Sequence, residues 1–367
     1  MSEGSSGQAL KFGIFDWIDH NRGLSLHDTY EQRFRMLEYA DEAGIWCYHL
    51  AEHHGTPLGM APSPNLFLAA AAQRTRRLRL GPLVQLLPLY NPLRNIEEVC
   101  ILDNLSDGRL ELGVGRGISP NELALYGVDA AESRDRFNEC LDILLMGLAT
   151  GRVAYEGKYY QVKDAPLPVR PRQQPYPPLW YPTSSAERVP WVAKEGFNTL
   201  FGFTRTTLDE IAAEMAHYRA VYAEHRGDKE RLNGHVSSPL LGATRHVYVG
   251  ATDAAALEVA RAAYEEFDAN FVDRPGRVSG DRYSSRRGDF DTAVSWGGIF
   301  AGSPDSVRKM VQQFVDVSGA NYFVGTFAFG DLTTDQVLAS LRLFAEEVMP
   351  AIAPAAASGR RASGVGG

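Results

Sequence analysis

The sequence predicts an α/β fold, specifically a (β/α)8 TIM barrel with insertions after strands 4 and 7. About eight β-prone segments alternate with helical patterns along the chain, as a ring of parallel strands wrapped by helices requires. Two longer stretches interrupt this alternation. One predicted strand ends in acid–base residues, and the carboxyl ends of the strands are where such a barrel carries its chemistry. An open doubly wound sheet fits this pattern less well.

The first half of the chain supplies four strand–helix units. The first helix begins with the capping pattern Ser25–Asp28 and ends at Gly44. The third helix begins at Asn91, with Pro92 in its first turn. The predicted strands of this half are residues 11–16, 47–54, 78–84 and 109–114.

The second half supplies four more units and both insertions. Residues 151–177 hold aromatic and proline residues and are predicted to form an excursion such as a hairpin, whereas residues 271–302 are predicted to be irregular. Residues 11–350 are predicted to form a single domain, with disordered tails at 1–10 and 351–367. The predicted strands of this half are residues 179–183, 199–203, 246–249 and 322–325.

The composition is that of an ordinary globular protein, with 44% hydrophobic and 22% charged residues among 367. The net charge of -8 and the lack of a basic block argue against binding to nucleic acid or to an anionic membrane. Cys47, Cys100 and Cys140 are far apart, which argues against a disulfide framework and a structural zinc site. No apolar signal segment or membrane span is evident, so we expect a cytoplasmic protein.

Glu52, His53 and His54 form an acid–base cluster at the end of the second predicted strand. A period of two would put His53 on the same side as His49 and opposite Glu52. The cluster fits a catalytic site and, equally, one hydrogen-bonded rim histidine beside a solvated one. A metal site is less plausible, because histidines four residues apart converge on a helix and not on a strand.

The glycines of Gly113–Val114–Gly115–Arg116–Gly117 follow the fourth predicted strand. Their GxGxG spacing is not the GxGxxG of a dinucleotide-binding loop. They would let the backbone approach a ligand while Arg116 offers a cation suited to phosphate, although a tight turn with a solvated arginine is the simpler interpretation of this motif alone.

Further candidates for an anion site follow along the chain. Ser184 and Ser185, predicted to open the fifth helix, could offer hydroxyl and N–H groups to an anion or could serve as an ordinary N-cap. Arg134 would be a second cation or a surface charge. Neither a GxSxG nucleophile elbow nor a P-loop is present.

Several spaced motifs together resemble the luciferase-like flavin monooxygenases, most closely the group of the bacterial luciferase α-subunit. The resemblance runs, with gaps, from about residue 11 to residue 350 and keeps the order of the motifs. The matching segments are residues 11–13, 51–54, 102–109, 115–117, 126–129, 133–134, 302–304 and 343–350.

The resemblance implies a TIM barrel, usually dimeric, that binds reduced flavin at its C-terminal mouth. It matches His53 to the catalytic histidine of the family and residues 271–302 to a mobile lid. The matched cofactor and lid positions are Leu83 and Val84 under the flavin ring (often a cis peptide), Arg116, Arg134, Ser184 and Ser185 at its phosphate, and Arg286 and Arg287 on the lid.

The chain departs from the luciferases at three positions. Gly115 stands where the luciferases carry a reactive cysteine, and Ser184 stands where an acid is expected. Arg188 stands in place of a threonine, which would rebuild the phosphate site around this arginine. These departures argue against light emission.

The hypothesis is a two-component monooxygenase. A separate flavin reductase would supply reduced FMN, which reacts with O2 to a C4a-peroxyflavin that oxygenates a small organic substrate, with His53 as acid or base. The protein would be a homodimer. The alternatives are an F420-dependent hydride-transfer enzyme on the same barrel, a non-catalytic flavin-binding protein and, more remotely, a metal-dependent hydrolase.

Overall fold

The structure, a computed structural model, describes residues 10–183, 185–202, 206–272 and 289–352. Its strands are β1 (Lys11–Asp16), β2 (Cys47–Leu50), β3 (Arg79–Pro82), β4 (Gln85–Leu86), β5 (Leu112–Gly115), β6 (Arg152–Glu156), β7 (Gln161–Pro166), β8 (Leu179–Trp180), β9 (Thr199–Leu200), β10 (Leu241–Val249), β11 (Ile299–Gly302) and β12 (Tyr322–Thr326). Its helices are α1 (Leu26–Ala43), α2 (Pro64–Arg74), α3 (Pro92–Leu105), α4 (Pro120–Leu125), α5 (Ser133–Thr150), α6 (Val189–Lys194), α7 (Leu208–His225), α8 (Asp253–Val272), α9 (Phe290–Ser295), α10 (Pro304–Ser318), α11 (Thr334–Leu343) and α12 (Met349–Ile352).

Eight parallel strands form a closed ring at the centre. Ladders join β9, β10, β12, β1, β2 and β3 in that order, and another joins β5 to β8. Isolated bridges complete the ring, from Leu80 to Leu110 between β3 and β5, and from Trp180 to Asn198 between β8 and β9. The predicted TIM barrel is therefore confirmed, and the carboxyl ends of all eight strands meet at one mouth.

The interior of the barrel is filled by large side chains. His49 of β2 lies between Trp180 and Tyr322, and its Nε2 is 2.9 Å from the Tyr322 hydroxyl. Burial lowers the pKa of His49 to about 3, so this imidazole is neutral at physiological pH. A Cβ at Gly13 would overlap the Tyr322 hydroxyl, which is why only glycine fits there. His49 is therefore part of the packing, and the chemistry must lie elsewhere.

The first insertion is the antiparallel hairpin of β6 and β7, as the sequence predicted. The prediction for residues 271–302 was wrong in part, because α8 extends to Val272, α9 follows, and β11 pairs with the end of β10. The short apolar run of β11 was hidden because glycines and polar residues surround it. The predicted lid residues Arg286 and Arg287 lie outside the described residues.

Three smaller predictions also need correction. β2 ends at Leu50, four residues before the predicted end, so Glu52 and His53 lie on a loop and both face the same cavity. α6 begins at Val189, so Ser185 does not cap it, and Ser184 lies outside the described residues. α4 was not predicted at all.

The predicted tails fall mostly on residues 1–9 and 353–367, which the structure does not describe. Residues 351 and 352 complete α12, so the fold extends slightly beyond the predicted boundary. Within the described ranges, no helix has the length and apolar character that crossing a bilayer would require.

Candidate functional site

A cavity of about 280 Å³ opens at the C-terminal mouth of the barrel. The ends of β1, β2, β3, β5 and β8 surround it, and one face of α8 covers one side. Clefts of this kind at this end of the fold are the usual place for ligands. The predicted site residues that line it are His53, Leu83, Val84, Arg116, Arg134, Ser185 and Arg188.

His53 lies on the loop that follows β2, with 15% of its side chain exposed. Its Nδ1 is 3.3 Å from both carboxylate oxygens of the buried Glu122. A carboxylate can only accept, so this contact assigns the proton to Nδ1 and leaves Nε2 as the nitrogen available for acid–base chemistry. Gly59 packs against His53, because a Cβ there would lie 2.7 Å from the Cβ of His53. Glu122 therefore orients the ring, while Gly59 leaves room for the base of the side chain.

Glu52 and His54 belong to a separate network beside this histidine. The carboxylate of Glu52 accepts hydrogen bonds from the backbone N–H of Leu86 and the hydroxyl of Tyr90, and lies 2.8 Å from Nε2 of His54. The hydroxyl of Tyr126 donates to Nδ1 of His54 over 2.9 Å. Both ring nitrogens of His54 are thus occupied, so His53 is the member of the cluster suited to chemistry. Among the described residues, no three His, Cys, Asp or Glu side chains converge as a metal site.

Arg116, Arg134 and Arg188 gather at one side of the mouth. Burial, followed by the nearby charges of Arg134 and Arg188, lowers the pKa of Arg116. Arg116 donates to the Ser133 hydroxyl over 3.0 Å, and the Arg188 guanidinium lies 3.8 Å from the centre of the Trp191 ring. None of the three has a carboxylate partner within the described part of the chain, and Nε of Arg188 is buried without a hydrogen-bond partner there.

This arrangement fits a doubly charged anion. Like charges that converge without counter-ions raise the free energy of the ligand-free protein, and a phosphate would relieve this cost through paired hydrogen bonds. Ser185 adds an exposed hydroxyl at the edge of the cluster, and its backbone N–H is held 3.2 Å from Oγ1 of Thr183. The donor set therefore suits the phosphate group of a ligand.

The junction between β3 and β5 forms part of the wall of the cavity. The Leu83–Val84 peptide bond is cis, as the resemblance implied. A Cβ at Gly115 would overlap Cγ2 of Val84, and one at Gly113 would overlap the carbonyl oxygen of Pro82. These glycines therefore admit the neighbouring strand end, and Gly115 also lines the cavity. The same overlap explains why a cysteine does not fit at position 115.

The sequence analysis missed two parts of the site. Glu122 follows a recognisable Ser119-x-x-Glu122 capping pattern, and Ser119 does cap α4, but the carboxylate contacts His53. An aromatic wall was also missed because its members are distant in sequence. Its residues are Phe15, Trp17, Tyr264, Phe267 and Phe271.

Comparison with known proteins adds a consistent set of relatives. The family model described as luciferase-like monooxygenase matches residues 10–321. An uncharacterized protein of Sinorhizobium fredii is 36% identical over 93% of this chain and 96% of its own length. An alkanal monooxygenase alpha chain from the Kryptophanaron alfredi symbiont is 23% identical over 93% of this chain and 98% of its own.

Solved structures share the fold. A monooxygenase from Streptomyces bottropensis, RslO1, superposes with a TM-score of 0.80 at 26% identity and covers 93% of this chain and 99% of its own. The FMN-bound oxygenating constituent of 3,6-diketocamphane monooxygenase from Pseudomonas putida gives 0.77 at 22% identity, covering 94% and 99%. An F420-dependent tetrahydromethanopterin reductase from Methanopyrus kandleri gives 0.67 at 18% identity, covering 94% and 100%.

Proposed function

We propose a specific activity for this chain, which belongs to the luciferase-like monooxygenase family. Membership makes it an oxidoreductase of the flavin-dependent monooxygenase kind. The proposed activity is oxygenation of a small organic substrate with O2 and reduced FMN. A separate reductase would deliver the reduced FMN, because the glycine motif of this chain does not have the spacing of a dinucleotide-binding loop.

The observation that carries the proposal is the presence of His53 and the three arginines in one cavity. Reduced FMN, when bound, would supply the two electrons that activate O2, so that one oxygen atom reaches the substrate and the other leaves as water. Arg116, Arg134 and Arg188 would hold the phosphate and fix the depth of the cofactor. Leu83 and Val84 would lie under its ring.

His53 would transfer the proton that this reaction needs. Glu122 would hold the proton on Nδ1, so that Nε2 faces the reacting atoms as an acceptor and, once protonated, as a donor. Because Glu122 acts through His53, it is a positioning residue. The apolar wall of the cavity would exclude water and so limit the loss of activated oxygen as hydrogen peroxide.

In the test, chemically reduced FMN is mixed with the protein in air-saturated buffer. O2 uptake and hydrogen peroxide release are measured with and without candidate substrates. The wild-type protein should release little peroxide and form oxygenated product. His53→Ala should lower product yield by about 100-fold, the lower end of the effect of a general acid or base. His225→Gln, on the surface of α7 beside Asp228, is the control and should behave as wild type. Wild-type product yield in the His53→Ala variant would refute the role of this histidine.

A cofactor test separates FMN from F420. Titration with FMN, riboflavin and F420, followed by absorbance and fluorescence, should rank FMN first, because the arginines meet a terminal phosphate. Tighter binding of F420, with its anaerobic reduction or oxidation by the protein, would replace the proposal with hydride transfer. Tight FMN binding without any turnover would indicate a flavin-binding protein instead.

We also propose that two copies associate through α2 and α3. These parallel helices carry exposed apolar side chains on the outside of the barrel, and Leu66 is 74% exposed. Ile101 and Leu105 lie one turn apart on α3 and are nearly half exposed. Sedimentation should detect a dimer for the wild type and a monomer for Leu66→Lys combined with Ile101→Lys. A wild-type monomer at micromolar concentration would contradict this assembly.

A further inference from the structure

Arg188 differs from Arg116 in how the chain holds its guanidinium group. Arg116 donates a hydrogen bond to the hydroxyl of Ser133, whereas the guanidinium of Arg188 lies over an aromatic ring. The central carbon of this guanidinium, Cζ, is 3.8 Å from the centre of the Trp191 ring and 5.5 Å from that of the Tyr181 ring. A cation this close to the face of a ring is attracted by the electrons of the ring. Aromatic rings therefore help to hold Arg188 in place.

The start of α6 produces the contact with Trp191. Residues three apart on a helix lie on one face, and Trp191 follows Arg188 at this spacing. The backbone N–H of Val192 donates to the carbonyl oxygen of Arg188 over 3.1 Å, so Arg188 takes part in the first helical turn. The ring of Trp191 also packs against Phe197, whose ring centre is 5.1 Å away. The ring that faces Arg188 is therefore fixed both by the helix and by its packing.

A row of aromatic rings connects this helix to the start of α5. Tyr181 contacts both Trp191 and Phe137, with ring centres 5.2 Å and 5.8 Å from its own. Phe137 lies on α5, about one turn after Ser133. Ser133 accepts the hydrogen bond of Arg116, so the row joins the anchors of two of the arginines. The packing of these rings thus sets the spacing between the two guanidinium groups.

The aromatic contact leaves the hydrogen-bonding edge of the Arg188 guanidinium free. The N–H donors of an arginine lie in the plane of the group, whereas a ring contacts its face. Nε of Arg188 is buried and has no hydrogen-bond partner among the described residues, and the side chain lines the cavity. A ring at the face can therefore orient the fork towards an anion without occupying its donors, as a carboxylate would.

We propose that Trp191 is a positioning residue for anion binding, because its ring orients the Arg188 guanidinium so that the fork donates to a phosphate group at the mouth. Identifying this group with the phosphate of FMN rests on the proposed function, whereas the orientation of Arg188 does not. The role of Trp191 depends on the planar shape of its partner. Arg188→Lys keeps the charge but loses the planar fork, so the two properties can be separated by experiment.

The first test measures the binding of inorganic phosphate and phenyl phosphate to the full chain by calorimetry. Trp191→Leu should weaken the binding of both probes by about ten-fold, which is within the range of a cation–π contact shielded from water. Trp191→Phe keeps a ring face and should weaken the binding by less than about three-fold. No binding to the wild type, no loss in Trp191→Leu, or equal losses in the two variants would overturn the proposal.

A double-mutant cycle separates positioning from a general disturbance of α6. Arg188→Lys should weaken phosphate binding by about ten-fold while Trp191 is present. In the Trp191→Leu background, the same replacement should weaken it by less than about three-fold, because a guanidinium without the ring has lost most of its advantage over an ammonium group. Additive losses would overturn the proposal. Failure to oxygenate any substrate with reduced FMN would refute the proposed function alone, since none of these measurements requires turnover.

Discussion

The two ends of β5 carry charged residues in opposite circumstances. At the N-terminal end of the strand, opposite the mouth and called the closed end below, Glu111 is buried. It forms an ion pair with Arg79 and accepts a hydrogen bond from Nε1 of Trp180 over 2.6 Å. At the mouth, Arg116 has the hydroxyl of Ser133 as its polar contact, and two further arginines lie nearby. Among the residues that the structure describes, the charges at one end have partners of opposite charge and those at the other end do not.

The difference separates what stabilises this protein from what prepares it to bind. A buried pair with its hydrogen bonds complete is costly to break, because the remaining partner is left uncompensated. Converging like charges lower stability by repulsion and are favourable only once a counter-ion arrives. We therefore expect substitutions at the closed end to change the free energy of unfolding, and substitutions at the mouth to change affinity.

The largest effect is expected at the closed end. Glu111→Ala should lower the free energy of unfolding by about 3 kcal/mol, because it removes the buried acidic member of an ion pair and leaves the Arg79 guanidinium with neutral acceptors only. Urea denaturation followed by circular dichroism measures it. Glu156→Ala, an exposed acid of β6, is the control and should change stability by less than about 0.5 kcal/mol. A similar small change for Glu111→Ala would mean that the two ends do not differ as described.

At the mouth, Arg116→Gln should weaken FMN binding by about 30-fold, or about 2 kcal/mol, through the loss of a charged hydrogen bond to phosphate. The free energy of unfolding should stay constant or rise, because like-charge repulsion falls. Quenching of flavin fluorescence measures the affinity. Riboflavin, which lacks the phosphate, is the matched ligand, and its affinity should not change. An equal loss for riboflavin would argue against phosphate binding at this arginine.

A third charge cluster contains more acids than bases, the reverse of the arginine cluster. Its effect on stability can be tested by changing the pH. Asp16 and Asp19 share the buried Arg33, whose guanidinium is 2.8 Å from Asp16 and 3.8 Å from Asp19. Burial raises the pKa of Asp19 from 3.8 to about 7, although Arg33, Asn270 and the backbone N–H of Gly330 act in the other direction. Between about pH 4 and pH 7, the folded protein therefore keeps a proton on Asp19 that the unfolded chain has lost.

Because the folded-state pKa lies above the unfolded value, this contribution to stability is complete below about pH 4 and is lost as the pH rises through about 7. Between pH 5 and pH 6 the wild type should lose about 1.4 kcal/mol relative to Asp19→Asn, which cannot titrate. Urea denaturation of both proteins at each pH gives the difference. Parallel pH profiles for the two proteins would contradict the assignment.

The smallest effect concerns the close approach of β3 and β5. Gly115→Ala should lower the free energy of unfolding by about 1 kcal/mol and weaken FMN binding, because the new methyl group displaces Val84. Val84→Ala in the same chain should restore much of the stability by removing the overlapping methyl groups. Absence of rescue would mean that the constraint at position 115 does not come from this contact.

Much of the fold could be predicted because its signals are local. Alternating strands and helices, and caps such as Ser25 and Asn91, follow from periodicity and turn chemistry. The errors fell where local signals mislead. The apolar run of β11 is short and flanked by glycines, so it was not recognised as a strand. Ser185 was predicted to cap the fifth helix, but α6 begins only at Val189. Glu52 and His53 were predicted to point to opposite sides of a strand. They lie instead on the loop after β2, where the alternation of a strand no longer applies.

The sequence by itself determined the barrel, its hairpin insertion and, through the order of its motifs, the family. It also provided the candidates His53, Arg116, Arg134 and Arg188, because their residue types suit the chemistry. Only the tertiary structure decided that Glu122 contacts His53 and that rings from β1 and α8 form one wall. These contacts join residues far apart in the chain, and barrel closure, which no local pattern encodes, brings them to one mouth.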